Sequence, residues 1–382
     1  MVSIEKELGL ELYVSSCQGM GGKIKDEPED FIVEEISEDG ILEVGVDKGD
    51  KLDEPKDYTT FTLEKKNWEA LRAINMLSKK CGSSRKRFKF AGTKDRRSVS
   101  TTRVSAWKIP PEKLKAVNLK DISLHDFAYS DEPVNLGCLK GNRFTINVLD
   151  VSADADKVVG KAIKELDGTT PNFFGTQRFG NRQNTHKVGR AILQGDFEKA
   201  VMIYLAETGE EPEAAMIART ELAETQDFKK ALLSFPNYLG YEKSILNHLV
   251  NYPNDYIGAM RELPKKLRWL FVHAYQGYVF NRALSGCIRD AEHPERLVLT
   301  GKESEADERT LKILEEDSLS LASFNVSAMP ECSSRGETRE CFITFQDFKV
   351  MNFNKKENKI TLRFSLPPGS YATVLLRELM KN

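Results

Sequence analysis

Residues 90–100 read FAGTKDRRSVS, and this stretch places one carboxylate, Asp95, in a turn entered through Gly92. The residues before the turn alternate charged with aromatic side chains, and residues 98–104 are rich in β-branched and hydroxyl side chains. Both patterns are typical of strands. A carboxylate at a strand end among cations stays ionised and can act as a nucleophile toward a polyanionic substrate. An Asp in a glycine-containing turn is more often only a turn former, so the stretch needs support from the rest of the chain.

The composition indicates a globular protein with more than one domain. The chain has 382 residues, of which 40% are hydrophobic and 30% charged, and this length is enough for two domains with a well-buried core. It has no apolar run of membrane-spanning length, and its N-terminus lacks a hydrophobic signal segment. The six cysteines are scattered without metal-ligand spacing. We therefore expect reduced thiols, no metal site and a cytoplasmic protein.

A strongly basic stretch precedes and surrounds the turn. The net charge of the chain is only −2, yet residues 79–97 contain nine Lys or Arg residues against one acid, a local charge of +8. A local basic face on a nearly neutral protein suits phosphate contacts around one site better than the wrapping of a long duplex. A solvated face without a ligand explains the cluster equally well. The candidate RNA-binding residues are Lys79, Lys80, Arg85, Lys86, Arg87, Arg96 and, farther along the chain, Arg178.

An α+β framework is predicted at both ends of the chain, with a mostly helical block between them. Strands are predicted within 21–44 and at 59–63, 98–104, 143–149 and 360–366, and helices are predicted after a cap at Asn67, at 156–166 and after a cap at Ser370. Helical patterns fill the block at 186–193, 197–205, 213–220, 229–233, 244–249, 265–284 and 304–321. We therefore predict a discontinuous domain of residues 1–170 and 346–382, interrupted by an inserted, largely helical α+β domain of residues 171–345.

Two further motifs carry side chains suited to a flat base or to RNA. In residues 139–144, LKGNRF, Asn142 and Phe144 project to the same face of a period-two strand. An amide and a ring on one face can together hold a flat heterocycle, although a turn Asn followed by a core Phe is the simpler interpretation. Residues 171–180, PNFFGTQRFG, are dense in aromatic side chains, Gly and Arg. This mixture suits contact with single-stranded RNA.

The order of these motifs resembles that of the TruD-type pseudouridine synthases. The resemblance extends from Lys25 to Leu379 and rests on six segments: 28–31 (PEDF), 92–96 (GTKDR), 141–144 (GNRF), 172–180, 275–281 (YQGYVFN) and 368–373 (PGSYAT). Two departures are visible. Tyr371 stands where bacterial relatives have Phe, and the charged loop 45–58 and the block 304–321 match nothing in the family pattern.

The resemblance implies isomerisation of a uridine in RNA to pseudouridine, without cofactor or metal. The base is detached at its glycosidic bond, rotated and rejoined through C5. Asp95 matches the essential aspartate, the nucleophile or base at the ribosyl C1′ region, and Lys25 matches the basic residue that pairs with it. The remaining matches surround the flipped uracil: Phe31, Asn142 and Tyr371 at its edges, and Phe144 as the ring that stacks on it.

The resemblance also implies a fold, a substrate and a division of labour between the domains. Residues 1–170 and 346–382 would form the catalytic domain, a pseudouridine-synthase-type mixed sheet flanked by helices, and residues 171–345 the inserted TRUD-type domain, which helps to clamp the RNA. The implied substrate is transfer RNA, at position 13 of the D arm, with other RNAs left open. Neither a membrane nor an obligate protein partner is implied.

Three other functions compete with this interpretation. A phosphate-binding loop at residues 17–24 fails, because Cys17 lies where the first glycine is needed and Ile24 where Ser or Thr is needed. An RNA-binding protein without chemistry would use the same basic surface, but it would gain nothing from Asp95. A glycosidase acting on free nucleosides would need a second acid for the leaving group and would not need the basic stretch.

Overall fold

The computed structural model describes residues 3–382 and divides them into two compact units. One unit comprises residues 15–170 and 343–382, and the other comprises residues 3–14 and 171–342. We call them the sheet unit and the helical unit.

The N-terminal segment, residues 3–14, belongs to the helical unit, whereas the sequence analysis placed it with residues 15–170. The reason is a set of specific hydrogen bonds. Asn281 Nδ2 donates to the carbonyl of Leu8 at 3.0 Å, and Ser285 Oγ donates to the carbonyl of Gly9 at 2.8 Å. Such long-range bonds leave no signal in the local sequence pattern.

The strands show the mixed topology of an α+β fold, so the predicted fold class is confirmed. In chain order they are β1 (Phe31–Ser37), β2 (Gly40–Ile41), β3 (Tyr58–Lys66), β4 (Phe88–Phe90), β5 (Val99–Trp107), β6 (Ile122–Ser130), β7 (Gly141–Val148), β8 (Thr169–Pro171), β9 (Arg296–Leu299), β10 (Glu337–Glu340), β11 (Phe342–Thr344), β12 (Gln346–Asn354) and β13 (Lys359–Leu366). Within residues 3–382, nine of them form the main sheet in the order β12-β13-β7-β1-β5-β3-β6, with β2 on β1 and β4 on β5. β1 and β5 run parallel, whereas the other neighbours are antiparallel.

Helices flank the main sheet and make up most of the helical unit. In chain order they are α1 (Ser3–Glu7), α2 (Ala70–Lys80), α3 (Pro111–Lys115), α4 (Ala155–Leu166), α5 (Thr185–Leu193), α6 (Phe197–Ala206), α7 (Glu213–Thr225), α8 (Phe228–Ser234), α9 (Gly240–Asn251), α10 (Tyr256–Arg261), α11 (Lys265–Arg289), α12 (Glu308–Glu316) and α13 (Ala372–Met380). Among the described residues, none of these helices combines the length and the apolar character needed to cross a bilayer.

Two hydrophobic clusters hold the sheet unit together. In the first, α4 and α13 pack against apolar side chains of β1, β7 and β13. In the second, α2 packs against β3 and β5. The side chains that face these clusters recur with period two along each strand, for example Phe144, Ile146 and Val148 on β7.

The start of α2 corrects one prediction. Asn67 is not the cap, because its backbone lies in the left-handed region at φ +55° and its N–H donates to the carbonyl of Ser98 at 3.0 Å. Glu69 caps the helix instead, with its carboxylate accepting from the backbone N–H groups of Leu71 at 2.8 Å and Arg72 at 2.7 Å. The bond from Asn67 fastens this helix start to the strand that leaves the Asp95 turn.

Candidate active site

Asp95 lies in the connection between β4 and β5, where the sequence predicts it. Its backbone carbonyl accepts hydrogen bonds from Lys65 Nζ at 2.9 Å and from Ser98 Oγ at 2.7 Å. Its side chain is 38% exposed. The turn is therefore fixed through its backbone, while the carboxylate stays accessible to a ligand.

Lys25 reaches the Asp95 carboxylate from the segment that precedes β1. Its Nζ lies 2.5 Å from Asp95 Oδ2 and 4.1 Å from the centroid of the Phe31 ring. The backbone of Lys25 is left-handed, at φ +61°, a conformation that is uncommon for a residue with a side chain. One ammonium thus bridges the carboxylate and the first ring of β1, two groups that the resemblance assigns to one site.

Lys65 is a functional candidate that the sequence analysis missed. Only 2% of it is exposed, and burial lowers the pKa of its ammonium to about 8, against the opposing effect of the nearby Asp95 charge. Lys65 shares its face of β3 with Phe61 and Leu63. A lysine in register with two core residues at a strand end is the signal that could have identified it.

The cations that flank Asp95 in the sequence do not form one cluster. Lys94 points inward and pairs with Glu35 at 2.9 Å, with only 4% and 1% of the two side chains exposed. Arg97 donates to the backbone carbonyl of Asp26. Arg96 remains exposed. The charge of Lys94 is therefore neutralised within the protein, whereas Arg96 is open to a phosphate.

Asn142 lies beside this buried ion pair in the sheet. It pairs in register with Glu35 of β1 on one side and with Leu366 of β13 on the other. Directly opposite residues of antiparallel strands have Cβ atoms about 5 Å apart. Glu35 in turn holds Lys94, the residue before Asp95, so this ion pair connects the position of Asn142 in the sheet with the Asp95 turn. Its Oδ1 is buried and has no hydrogen-bond partner among the described residues.

Phe31 and Phe144 lie in the hydrophobic core beneath Asn142. Phe144 is 6% exposed, with its ring stacked on Phe364 at a centroid distance of 5.6 Å and edge-on to Phe31 at 6.1 Å. Phe31 is 2% exposed. The open stacking face expected for Phe144 is therefore absent from this structure, because Phe364, from the far end of the chain, covers its ring. The simpler interpretation of a core Phe describes its packing.

Tyr371 arrives from the C-terminal segment at the same end of the sheet. Leu366, the partner of Asn142, ends β13, and Tyr371 follows five residues later as the residue that precedes the first turn of α13. The predicted cap at Ser370 is wrong, because Ser370 lies one position too early and its Oγ has no partner among residues 3–382. Tyr371 is partly exposed.

The basic stretch lies mainly at the opposite end of β5 from Asp95. Arg85–Arg87 form a short 3₁₀ turn just before Phe88, and Phe88 pairs with Ala106, seven residues beyond the start of β5. Lys79 and Lys80 are exposed at the end of α2. This group and Arg96 therefore do not form a single patch, because the strand separates them, and their contacts with phosphate stay a prediction.

The aromatic motif at residues 171–180 contributes to packing and offers no open aromatic surface. Phe173, Phe174 and Phe179 are at most 5% exposed. Arg178 is partly exposed, and its guanidinium lies 5.1 Å from the Phe174 ring centroid. These rings are therefore buried in the core, and contact of the motif with single-stranded RNA stays a prediction that rests on Arg178. Arg178 belongs to the helical unit.

The charged loop 45–58 meets β6 at a compact group of Asp47, His125 and Asp126. One carboxylate oxygen or ring nitrogen from each of the three lies within 4.8 Å of the other two. The Asp126 carboxylate accepts from the Lys48 N–H at 2.6 Å and from Thr62 Oγ1 at 2.9 Å, and it contacts the His125 ring at 3.0 Å. The bond from the Lys48 N–H anchors the loop to β6.

Comparisons with known proteins identify the family of this chain. The family model described as tRNA pseudouridine synthase D (TruD) matches residues 7–301 and 297–379. Two relatives, both named "Probable tRNA pseudouridine synthase D", are similar over 99% of this chain: one from Methanosarcina acetivorans, 37% identical with 97% of its length covered, and one from Archaeoglobus fulgidus, 36% identical with 99% covered. A crystal structure from Methanosarcina mazei, of a protein assigned to tRNA pseudouridine synthase D, superposes with a TM-score of 0.80 at 34% identity, covering 100% of this chain and 98% of that one. The chain belongs to the tRNA pseudouridine synthase D family.

Proposed function

We propose that this chain converts a uridine of transfer RNA, at position 13 of the D arm, to pseudouridine. Asp95 is the essential carboxylate, and the reaction uses neither a cofactor nor a metal ion. Family membership supports a pseudouridine synthase that acts on tRNA. The observation that carries the assignment to Asp95 is its geometry. The carboxylate is open to solvent, its turn is held through the backbone, and an ammonium lies 2.5 Å from it.

Asn142 supports recognition of uracil. The unpaired Oδ1 is an acceptor, and uracil presents an N–H donor at N3 where cytosine presents an acceptor. A buried acceptor that meets another acceptor stays unsatisfied, which costs about 1–3 kcal/mol. We therefore assign Asn142 the discrimination of uracil from cytosine. Tyr371, which is partly exposed and follows the strand partner of Asn142 by five residues, is proposed to contact the edge of the uracil, with Phe31 and Phe144 as the apolar core behind it.

The two compact units have different roles in this proposal. The sheet unit holds every residue proposed to act on the uridine and is the catalytic domain. The helical unit is the inserted TRUD-type domain and contributes Arg178 to RNA binding. The exposed residues Lys79, Lys80, Arg85, Lys86 and Arg96, together with Arg87, contact phosphates. Phosphate contacts need no sequence information, so RNAs other than tRNA remain substrates to be tested.

The decisive experiment measures tritium release from tRNA that carries tritium at C5 of uridine. Wild-type protein is expected to release tritium, whereas Asp95→Asn releases none and binds tRNA within a few-fold of wild type, because the substitution keeps the shape and removes only the charge. Asp131→Asn is the matched control, since Asp131 is an exposed carboxylate just past Ser130, at the end of the sheet far from Lys65. Release by Asp95→Asn at the wild-type rate would contradict the assignment.

Two further outcomes distinguish the enzyme from a protein that only binds RNA, and test the assignment to position 13. Tight tRNA binding by wild type without tritium release identifies an RNA-binding protein without chemistry. A tRNA with cytidine at position 13 is expected to yield no product. If that tRNA is still modified, pseudouridine-specific chemical mapping locates the true position, and the assignment to position 13 is wrong while the activity stands.

A further inference from the structure

Trp107 is an exposed tryptophan surrounded by cations at the end of β5. It is 41% exposed, although its large ring normally gains most from burial. The guanidinium carbon of Arg87 lies 5.2 Å from the ring centroid, and Lys108 Nζ lies 5.1 Å from it. A ring in contact with two cations has the composition of a stacking platform for nucleic-acid bases.

The platform is held in place by backbone contacts. Arg87 donates to the carbonyl of Lys108 at 3.0 Å, so the guanidinium is fixed beside the ring. Tyr58 of β3 lies directly opposite Trp107 in the sheet. A side chain that is already ordered loses little entropy when a ligand binds. The surface is therefore preorganised.

The charges around Trp107 favour a polyanion. Arg85, Lys86 and Lys89 are exposed, and none of them has a carboxylate partner among the described residues. The Asp57 carboxylate lies 3.9 Å from Lys108 Nζ, at the outer limit of an ion pair. Positive charge with an accessible ring suits RNA better than an apolar protein partner.

The platform lies too far from Asp95 to share its nucleotide. β5 begins at Val99, beside the Asp95 turn, and ends at Trp107. Eight steps along a strand at about 3.3 Å each span about 26 Å. A single nucleotide cannot bridge that length, so a ligand at Trp107 is a different part of the RNA.

We propose that Trp107, Arg87 and Lys108 form a second RNA contact, which stacks on an accessible base of the folded tRNA while Arg85 and Lys86 meet the adjoining phosphates. This inference rests on the proposed function and adds a recognition surface to it. The contact requires an accessible base at a fixed distance from the target uridine. It contributes to affinity for the whole tRNA and takes no part in the reaction at Asp95.

The test compares Trp107→Ala and Trp107→Phe on two RNAs, with binding measured at one salt concentration. The first RNA is the full tRNA, and the second is a stem–loop with the target uridine, trimmed to be shorter than the span of β5. For the full tRNA we expect Trp107→Ala to bind about ten-fold more weakly, within the range for loss of one stacked base, and Trp107→Phe to retain most of the affinity. For the stem–loop, affinity and single-turnover rate are expected to be unchanged.

Trp269→Ala is the matched control, because Trp269 is also exposed, at 38%, and has Lys265 at 4.9 Å. Its neighbours Arg261 and Arg268 are, however, paired with Glu331. We expect it to bind the full tRNA like wild type. Unchanged tRNA binding by Trp107→Ala, or an equal loss on both RNAs, overturns the proposal. Product formation by wild type on the stem–loop tests the proposed function separately.

Discussion

Replacing Lys65 by Met is expected to stabilise the folded protein at neutral pH and to slow the reaction. Burial lowers the pKa of Lys65 from 10.5 to about 8, and each pKa unit corresponds to 1.36 kcal/mol. Keeping the ammonium ionised at pH 7 therefore costs the folded state about 3 kcal/mol. Met removes this cost but also removes a hydrogen bond worth about 1 kcal/mol. The carbonyl of Asp95 keeps its bond from Ser98, so the net gain is about 2 kcal/mol.

The free energy of unfolding is expected to change with pH, and the direction of the change follows from the two pKa values of Lys65. Between the folded pKa of about 8 and the unfolded value of 10.5, the unfolded chain binds more protons at Lys65 than the folded chain. The free energy of unfolding of the wild type therefore rises with pH across that interval. The advantage of Lys65→Met is full below pH 8 and falls as the pH rises above 8, and near pH 10.5 only the loss of the hydrogen bond, about 1 kcal/mol, remains. Urea unfolding from neutral pH upward measures both curves.

The effect on activity comes from the Asp95 turn. Without the ammonium, the Asp95 carbonyl loses one of the two hydrogen bonds it accepts, and we expect single-turnover pseudouridine formation to fall by about ten-fold, or about 1.4 kcal/mol. Lys66→Met is the matched control, since Lys66 is adjacent but 44% exposed and pairs with Glu29 on the surface. The reasoning is refuted if Lys65→Met is less stable than wild type at neutral pH, or if the two variants have equal activity.

Three further predictions concern the site and the basic surface. Glu35→Gln leaves Lys94 as a buried unpaired charge and is expected to lower the free energy of unfolding in urea by about 3 kcal/mol. The double variant that also carries Lys94→Met is expected to recover most of this loss. Equal stability of the single and double variants would refute the role of the ion pair. Phe144→Leu keeps an apolar side chain in the core and is expected to lower the free energy of unfolding by only about 1 kcal/mol. Because the fold is kept, a ten-fold or larger loss of turnover with unchanged tRNA affinity would show that the ring also contacts the base. Replacing Arg85 and Lys86 by Gln is expected to lower the slope of log affinity against log salt concentration by about one to two units. An unchanged slope would show that these two residues do not contact phosphates and only face solvent.

Strong local periodicity predicted much of the sheet unit. The alternation of residues 143–149 and the repeat at 156–166 appear in the structure as β7 and α4, each within two residues of the predicted bounds. β6 was not predicted, and its register with β3 shifts between Thr60 and Thr62. Local patterns report which face of an element is apolar, and they correctly placed Asp95 in a turn between two strands.

Properties that depend on distant partners could not be predicted. The inward direction of Lys94 depends on Glu35, and the burial of Phe144 depends on Phe364 from the far end of the chain. Lys65 becomes part of the site only when β3 and the Asp95 turn come together. Counting the basic residues along 79–97 likewise groups them into one patch, although β5 separates them in space.

The pairing of β13 with β7 has a consequence for synthesis of the protein. β13 is translated long after β7 and contributes Phe364 to the core beneath the site. Ser15, at the start of the sheet unit, receives its carboxylate partner from Glu378, 363 residues later. A nascent chain therefore cannot close this sheet until nearly all of it has left the ribosome, and contacts between such distant residues form slowly. Prematurely terminated chains lack the last strand, so they expose an open sheet edge and are expected to aggregate or be degraded before they can act on RNA.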